Sequence, residues 1–182
     1  MLSRKLGKMG IRSRIYTYPD YSSAYGKMIH GYLNGNAKLG REEHFLLFLM
    51  DIMKDRDSIK KDLKEGRVLI MDRYFYTAIS YICPSGLDYG RAKRFVELMN
   101  FDAPSIVFYL RVSTALSAKR KRRQKGKLDK FESDDRYLKK AGGFYDRMFD
   151  EKYMCRSWIS IDSTPSAEQV HVKILEILGR RL

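Results

Sequence analysis

Cysteine is nearly absent from this 182-residue chain: only Cys83 and Cys155 occur, far apart and without CxxC spacing. That excludes a disulfide-stapled scaffold and a cysteine zinc site, and it suits a reducing cytosol. Long apolar runs are missing too. The longest, Phe45 to Met50, falls far short of a membrane span. The first ten residues, MLSRKLGKMG, carry charge but no apolar segment, which argues against a signal peptide. Negative charge is the scarce sign, with 22 acidic residues against 36 lysines and arginines and a net charge of +14.

What is present points to a packed globule. Hydrophobic residues make up 44% of the chain, enough for one domain with a sizeable core. No internal repeat or domain-separating linker interrupts residues 1–182. The positive charge concentrates between Lys119 and Lys130, KRKRRQKGKLDK, with eight bases against the single acid Asp129. Such a run favours anionic partners: nucleotide phosphates, nucleic acid or a membrane surface. A solvated helix face is the plainer alternative. No RRM, KH, zinc or helix-turn-helix signature accompanies it, which argues against nucleic acid.

Four short runs rich in β-branched and aromatic residues read as buried strands: Arg14 to Tyr18, Val68 to Met71, Ser105 to Val112 and Ser157 to Ile161. Helical patterns lie between them at 22–34, Glu42 to Lys64, 90–99, 113–123 and 134–150, and a last helix opens near Ser166. The Glu42–Lys64 pattern reads as one long helix, with Gly66 as its stop. Strands alternating with helices predict βαβ units and a parallel sheet, hence an α/β fold.

The stretch RVLIMDRYFYTAISY, residues 67 to 81, sets the chemical question. A buried run ends abruptly on Asp72 and Arg73. In open α/β sheets ligands gather at the carboxyl ends of strands, so this couple is a candidate phosphate and metal site. A local ion pair is the plainer reading.

Three segments in order, YPDYSSAYGKMIHGYL (18–33), LLFLMDIMKDRDSIKKDLKEGRVLIMDRYFYTAISY (46–81) and RKRRQKGKLDKFE (120–132), resemble the thymidylate kinase family of P-loop nucleoside monophosphate kinases. WISIDSTPSAEQV resembles the family's closing strand, adenine-side loop and final helix, so the likeness covers nearly the whole chain. It implies a three-layer parallel sheet flanked by helices, with a basic lid at about 119–132. It also implies ATP-dependent phosphorylation of thymidine monophosphate with Mg²⁺, in the cytoplasm, by an enzyme that can form a homodimer. By the resemblance, Phe48 stacks on the acceptor base, Tyr81 faces the deoxyribose and Tyr74 belongs to the acceptor site. Arg73 grips the acceptor phosphate, Asp72 holds Mg²⁺ and Asp20 lies near the transferred group. Arg120 and Arg123 are the lid arginines, and Arg123, Ser163 and Thr164 border ATP.

The likeness has departures. The phosphate-binding motif G-x-x-x-x-G-K-[ST] does not occur: the nearest stretch, Gly35 to Glu42, has arginine and glutamate where lysine and a hydroxyl residue are needed. Met1 to Gly10 reads as the second half of the helix that follows this loop. The expectation is therefore a sheet whose central first strand is missing, through a late start in the record or a genuine loss of ATP binding. Tyr21 and Ile52 stand where the family has acceptor-phosphate arginines, with Lys54, Arg56 or Lys27 as replacements. Another nucleotide as acceptor, a relative without turnover, and a basic nucleic-acid-binding protein stay open.

Overall fold

A computed structural model describes residues 1–125 and 128–180. The four expected strands form within two residues of their predicted bounds: β1 Ser13–Thr17, β2 Val68–Asp72, β3 Val107–Arg111 and β4 Trp158–Asp162. All pairing is parallel. β1 runs beside β2 with Thr17 opposite Asp72, and β3 runs beside β4 with Arg111 opposite Asp162. The predicted single sheet is instead two pairs, with no ladder joining β2 to β3 among the described residues.

Nine helices are described: α1 Leu2–Lys8, α2 Ala24–Leu33, α3 Arg41–Met53, α4 Arg56–Lys64, α5 Phe75–Ile82, α6 Tyr89–Leu98, α7 Thr114–Lys125, α8 Asp135–Asp150 and α9 Ala167–Gly179. Side-chain caps fix several starts. Ser23, Asp88 and Asp134 accept from Gly26, Arg91 and Tyr137 backbone N–H groups, each filling an orphan donor of the first turn. Ser166 and Gln169 form the capping box read from the sequence.

Two expectations change. The single helix from Glu42 to Lys64 is two, because the chain turns at Lys54–Asp55. There the Lys54 ammonium bonds the Asp51 carbonyl at 2.9 Å and the Asp55 carboxylate at 2.7 Å, and Asp55 also receives the Tyr18 hydroxyl at 3.1 Å. Residues 75–82, outside the helical patterns read from the sequence, are helix α5. It is buried on nearly all sides, so it carries no polar stripe by which periodicity could announce it.

The core gathers around α5. Phe45, Leu49 and Ile52 of α3 meet Phe75, Ile79 and Ile82 of α5, with Val96 of α6 and Met148 of α8 completing the layer. Each such side chain contributes about 1.5–3 kcal/mol relative to exposure. This packing holds α3 and α5 side by side and aims the carboxyl end of β2 into the space beside them.

Candidate active site at the end of β2

The site begins where β2 stops. Asp72 is its last residue and its side chain is exposed. Arg73 then takes a left-handed backbone, φ +68°, a conformation that costs a residue with a Cβ about 1–2 kcal/mol. Strain of this kind concentrates at functional positions. Arg73 is exposed; the atoms crowded round its base work against its charge, but the fields of Tyr81, Tyr145, Asp72 and Tyr21 outweigh them and hold its pKa above the ordinary guanidinium value.

Tyr81, whose field reaches Arg73, packs into an aromatic cluster. Its ring centroid is 5.8 Å from Phe131, which stacks on His44 at 5.3 Å; His44 meets Phe48 edge-on at 4.7 Å. Helical spacing explains the assembly: His44 and Phe48 are one turn apart on α3, and Thr77 and Tyr81 one turn apart on α5. Phe48 and Tyr81 are half-buried, as rings open to a ligand should be. One turn before Tyr81, the Thr77 hydroxyl shares a 2.6 Å hydrogen bond with that of Tyr145. Burial pushes the Tyr145 phenol well above its usual range, reinforced by Tyr81 and opposed by Arg73.

His44 is the anomaly of this cluster. It is 3% exposed, yet neither ring nitrogen has a hydrogen-bond partner among the described residues. An unsatisfied buried polar group costs about 1–3 kcal/mol. Burial, helped by the nearby Lys130 cation, pushes its pKa down to about 4, so the ring is neutral at pH 7.

Beside Arg73, the loop after β1 holds Asp20, preceded by a cis Tyr18–Pro19 peptide. Its backbone N–H donates to the Asp51 carboxylate at 2.8 Å, and the Ser23 hydroxyl donates to the other Asp51 oxygen at 2.8 Å. Lys54 completes this network at 3.3 Å from Asp20 and 3.3 Å from Asp51. The Ser22 hydroxyl bond, aided by Lys54, keeps the Asp20 carboxyl below its usual pKa. Of the cations offered as replacements for the two missing arginines, Lys54 is tied to carboxylates. Arg56 is turned away, donating to the Met99 carbonyl and lying 5.8 Å over Phe101. Lys27 is exposed on α2.

The lid region is described only in part, and residues 126–127 lie outside the described residues. Arg123 is exposed on α7. Arg120, expected as a catalytic lid arginine, instead clamps the loop after β4, donating to the carbonyls of Ser163 at 2.6 Å, Thr164 at 2.7 Å and Pro165 at 3.0 Å. Its guanidinium is thereby occupied, beside the two residues expected near ATP. Tyr74 is a second correction. It is 6% exposed, packs on Tyr18, Phe75 and Phe101, and donates its hydroxyl to the Asp102 carbonyl at 3.3 Å, so it braces the core under the site.

The model of the thymidylate kinase family matches residues 1–174. The chain belongs to that family. A thymidylate kinase of Arabidopsis thaliana is 28% identical over 95% of this chain, which spans 62% of that relative's length. A fission yeast thymidylate kinase is 25% identical over 98% of this chain and 83% of its own. A probable thymidylate kinase of Methanocaldococcus jannaschii reaches 33% identity over 90% of this chain and 81% of its own. The structure of thymidylate kinase from Candida albicans, titled as revealing the origin of broad substrate specificity, shares the fold. It has a TM-score of 0.76 over 97% of this chain and 84% of that one, at 19% identity.

As a member of the thymidylate kinase family the chain has the α/β, P-loop-kinase fold read from its sequence. Sequence reasoning missed His44, Asp51 and the Thr77–Tyr145 pair. Only His44 carried a signal, its place one helical turn before Phe48. Two surface depressions, of about 460 Å³ between α6 and α8 and about 410 Å³ beside Cys83, are lined by residues outside this aromatic cluster. The first is lined by bases and acids that neutralise one another, as Lys93 and Arg147 do with Glu151. No helix among the described residues is long and apolar enough to cross a membrane.

Proposed function

We propose that this chain transfers the terminal phosphoryl group of ATP to thymidine monophosphate, yielding thymidine diphosphate and ADP. One observation carries the reading: Arg73, held in a left-handed conformation at the carboxyl end of β2, feels the field of Tyr81, which packs into the aromatic cluster of Phe131, His44 and Phe48. A nucleotide laid on Phe48 with its deoxyribose against Tyr81 has its phosphate directed to Arg73, whose planar fork suits two phosphate oxygens.

The attacking atom is an oxygen of the acceptor phosphate, already anionic at pH 7, so no side chain has to remove a proton. The protein's task is to position two phosphates and offset their mutual repulsion. Arg73 supplies fixed positive charge on the acceptor side. Arg123 on the lid helix approaches the transferred group as the lid closes, excluding water. Asp20, held ionised by Ser22 and Lys54, and Lys27 border the acceptor phosphate, and Ser163 and Thr164 border the adenine of ATP.

The residues present fit Mg²⁺. No group of three or more metal-ligating side chains occurs among the described residues, but Mg²⁺ between nucleotide phosphates takes only one or two carboxylates. Exposed Asp72 at the strand end would hold it, and the ion would neutralise charge on the donor phosphates. No segment of the 182 residues matches the phosphate-loop motif, so the donor side rests on family membership alone. The setting that accords with this chemistry is a cytoplasmic single-domain kinase. Leu46 and Met50, exposed one turn apart on α3, offer an apolar face to a second copy.

Calorimetric titration with thymidine monophosphate, followed by ADP release from Mg·ATP across nucleoside monophosphates, tests the reading. Saturable binding of thymidine monophosphate, lost in Arg73→Ala, is expected. A chain that binds no pyrimidine nucleotide overturns it.

A further inference from the structure

We propose that His44 reads the base of the acceptor nucleotide, donating an imidazole N–H to a carbonyl oxygen of a pyrimidine stacked on Phe48. The inference rests on the acceptor assignment above and adds the residue that recognises the base.

The imidazole has no structural task to which its polarity answers. Among the described residues both nitrogens lack partners, although the residue is 3% exposed. The ring packs against Tyr32 at 4.5 Å, Phe48 at 4.7 Å and Phe131 at 5.3 Å. The one hydroxyl in this shell, that of Tyr32, is bonded by Lys130 at 3.3 Å. If only packing mattered, leucine or phenylalanine would fill this place without leaving two polar atoms unsatisfied. A buried polar group without a partner inside the protein calls for one from outside.

Position narrows that partner to the acceptor base. Residues 44, 48, 51 and 52 share one face of α3. Asp51 is bound to Asp20, Ser23 and Lys54, and Ile52 is apolar and 3% exposed. Among these four, His44 is the polar side chain with hydrogen-bonding capacity still to offer beside Phe48. The Lys130 ammonium, 4.5 Å over the Tyr32 ring, disfavours a second positive charge here. The imidazole therefore stays neutral, with one N–H donor and one lone pair. The donor matches a ring carbonyl. A purine laid on Phe48 would press its second ring against His44, so the same contact disfavours purines.

The test uses the full chain and binding alone. Calorimetry of His44→Leu should show thymidine monophosphate affinity reduced tenfold or more, with the melting temperature unchanged or raised, because a buried unpaired group is gone. His44→Gln, which restores a donor of similar reach, should recover at least part of the loss. In the unsubstituted protein labelled with ¹⁵N-histidine, one resonance of the three histidines, assigned by its loss in His44→Gln, should move on adding thymidine monophosphate. A His44→Leu variant binding within twofold of the parent, or a His44 resonance that stays put while the nucleotide binds, overturns the inference and leaves the acceptor assignment standing. A parent that binds no thymidine monophosphate removes both.

Discussion

The Lys54 ammonium lies 3.3 Å from the carboxylate of Asp51, a side chain 1% exposed in the core between α2 and α3. This contact joins the break in the α3–α4 helix to the loop that carries Asp20. Replacing Lys54 with methionine leaves Asp51 with two hydrogen-bond donors but no counter-charge. Removing one partner of a buried pair costs up to 3–5 kcal/mol; with those donors retained, a loss of about 2–3 kcal/mol is expected in urea unfolding. Acceptor affinity should fall with it, because the Asp20 carboxylate loses its cation partner. Unchanged stability would mean that Lys54 merely decorates the surface.

Arg73→Gly separates strain from function. Glycine adopts φ +68° without penalty, so the variant should gain about 1 kcal/mol of stability. Its affinity for thymidine monophosphate should drop a hundredfold or more. Paired thermal melts and calorimetry check the two halves; a variant that is less stable would remove the claim of backbone strain.

Gly26 sits on α2 with its Cα facing the Asp20 carbonyl, and an added Cβ would collide with that backbone. Gly26→Ala should therefore push the Asp20 loop outward. Overpacking of this kind typically costs 1–3 kcal/mol, here about 3 kcal/mol because the obstacle is backbone. Chemical denaturation measures it, and a variant as stable as the parent would contradict the packing described.

Burial lowers the His44 pKa from 6.5 to about 4. The unfolded chain thus binds a proton near pH 6.5 that the folded chain refuses until about pH 4. Stability contributed by the neutral ring is fully present above pH 6.5 and is lost as pH falls towards 4, by about 3 kcal/mol at most. His44→Leu should flatten that part of the stability profile, as urea midpoints between pH 7 and pH 4 would show. An identical profile in the variant would mean that His44 titrates normally.

Arg120→Ala should loosen the loop at Ser163–Pro165, which the guanidinium holds by three carbonyls. On the proposed reading this raises the Michaelis constant for ATP several-fold and leaves thymidine monophosphate binding intact. Equal losses for both nucleotides would place Arg120 in the shared phosphate site instead.

The sequence by itself determined what short-range patterns encode. Alternating apolar runs and helical stripes predicted four strands and the crossover helices, and the abrupt end of VLIM on Asp72 and Arg73 marked the edge of the sheet. The Ser166 and Gln169 cap and the Gly66 stop are equally local. Only tertiary structure decided which groups from distant segments meet. It broke the 42–64 helix by drawing Lys54 to Asp20 and Asp51, buried α5 so completely that no stripe survived to predict it, and committed Arg120 to loop carbonyls and Tyr74 to Asp102. It also left His44 unpartnered beside Phe48. A side chain's partners depend on what the fold brings near it, and three-dimensional proximity has no period along the chain.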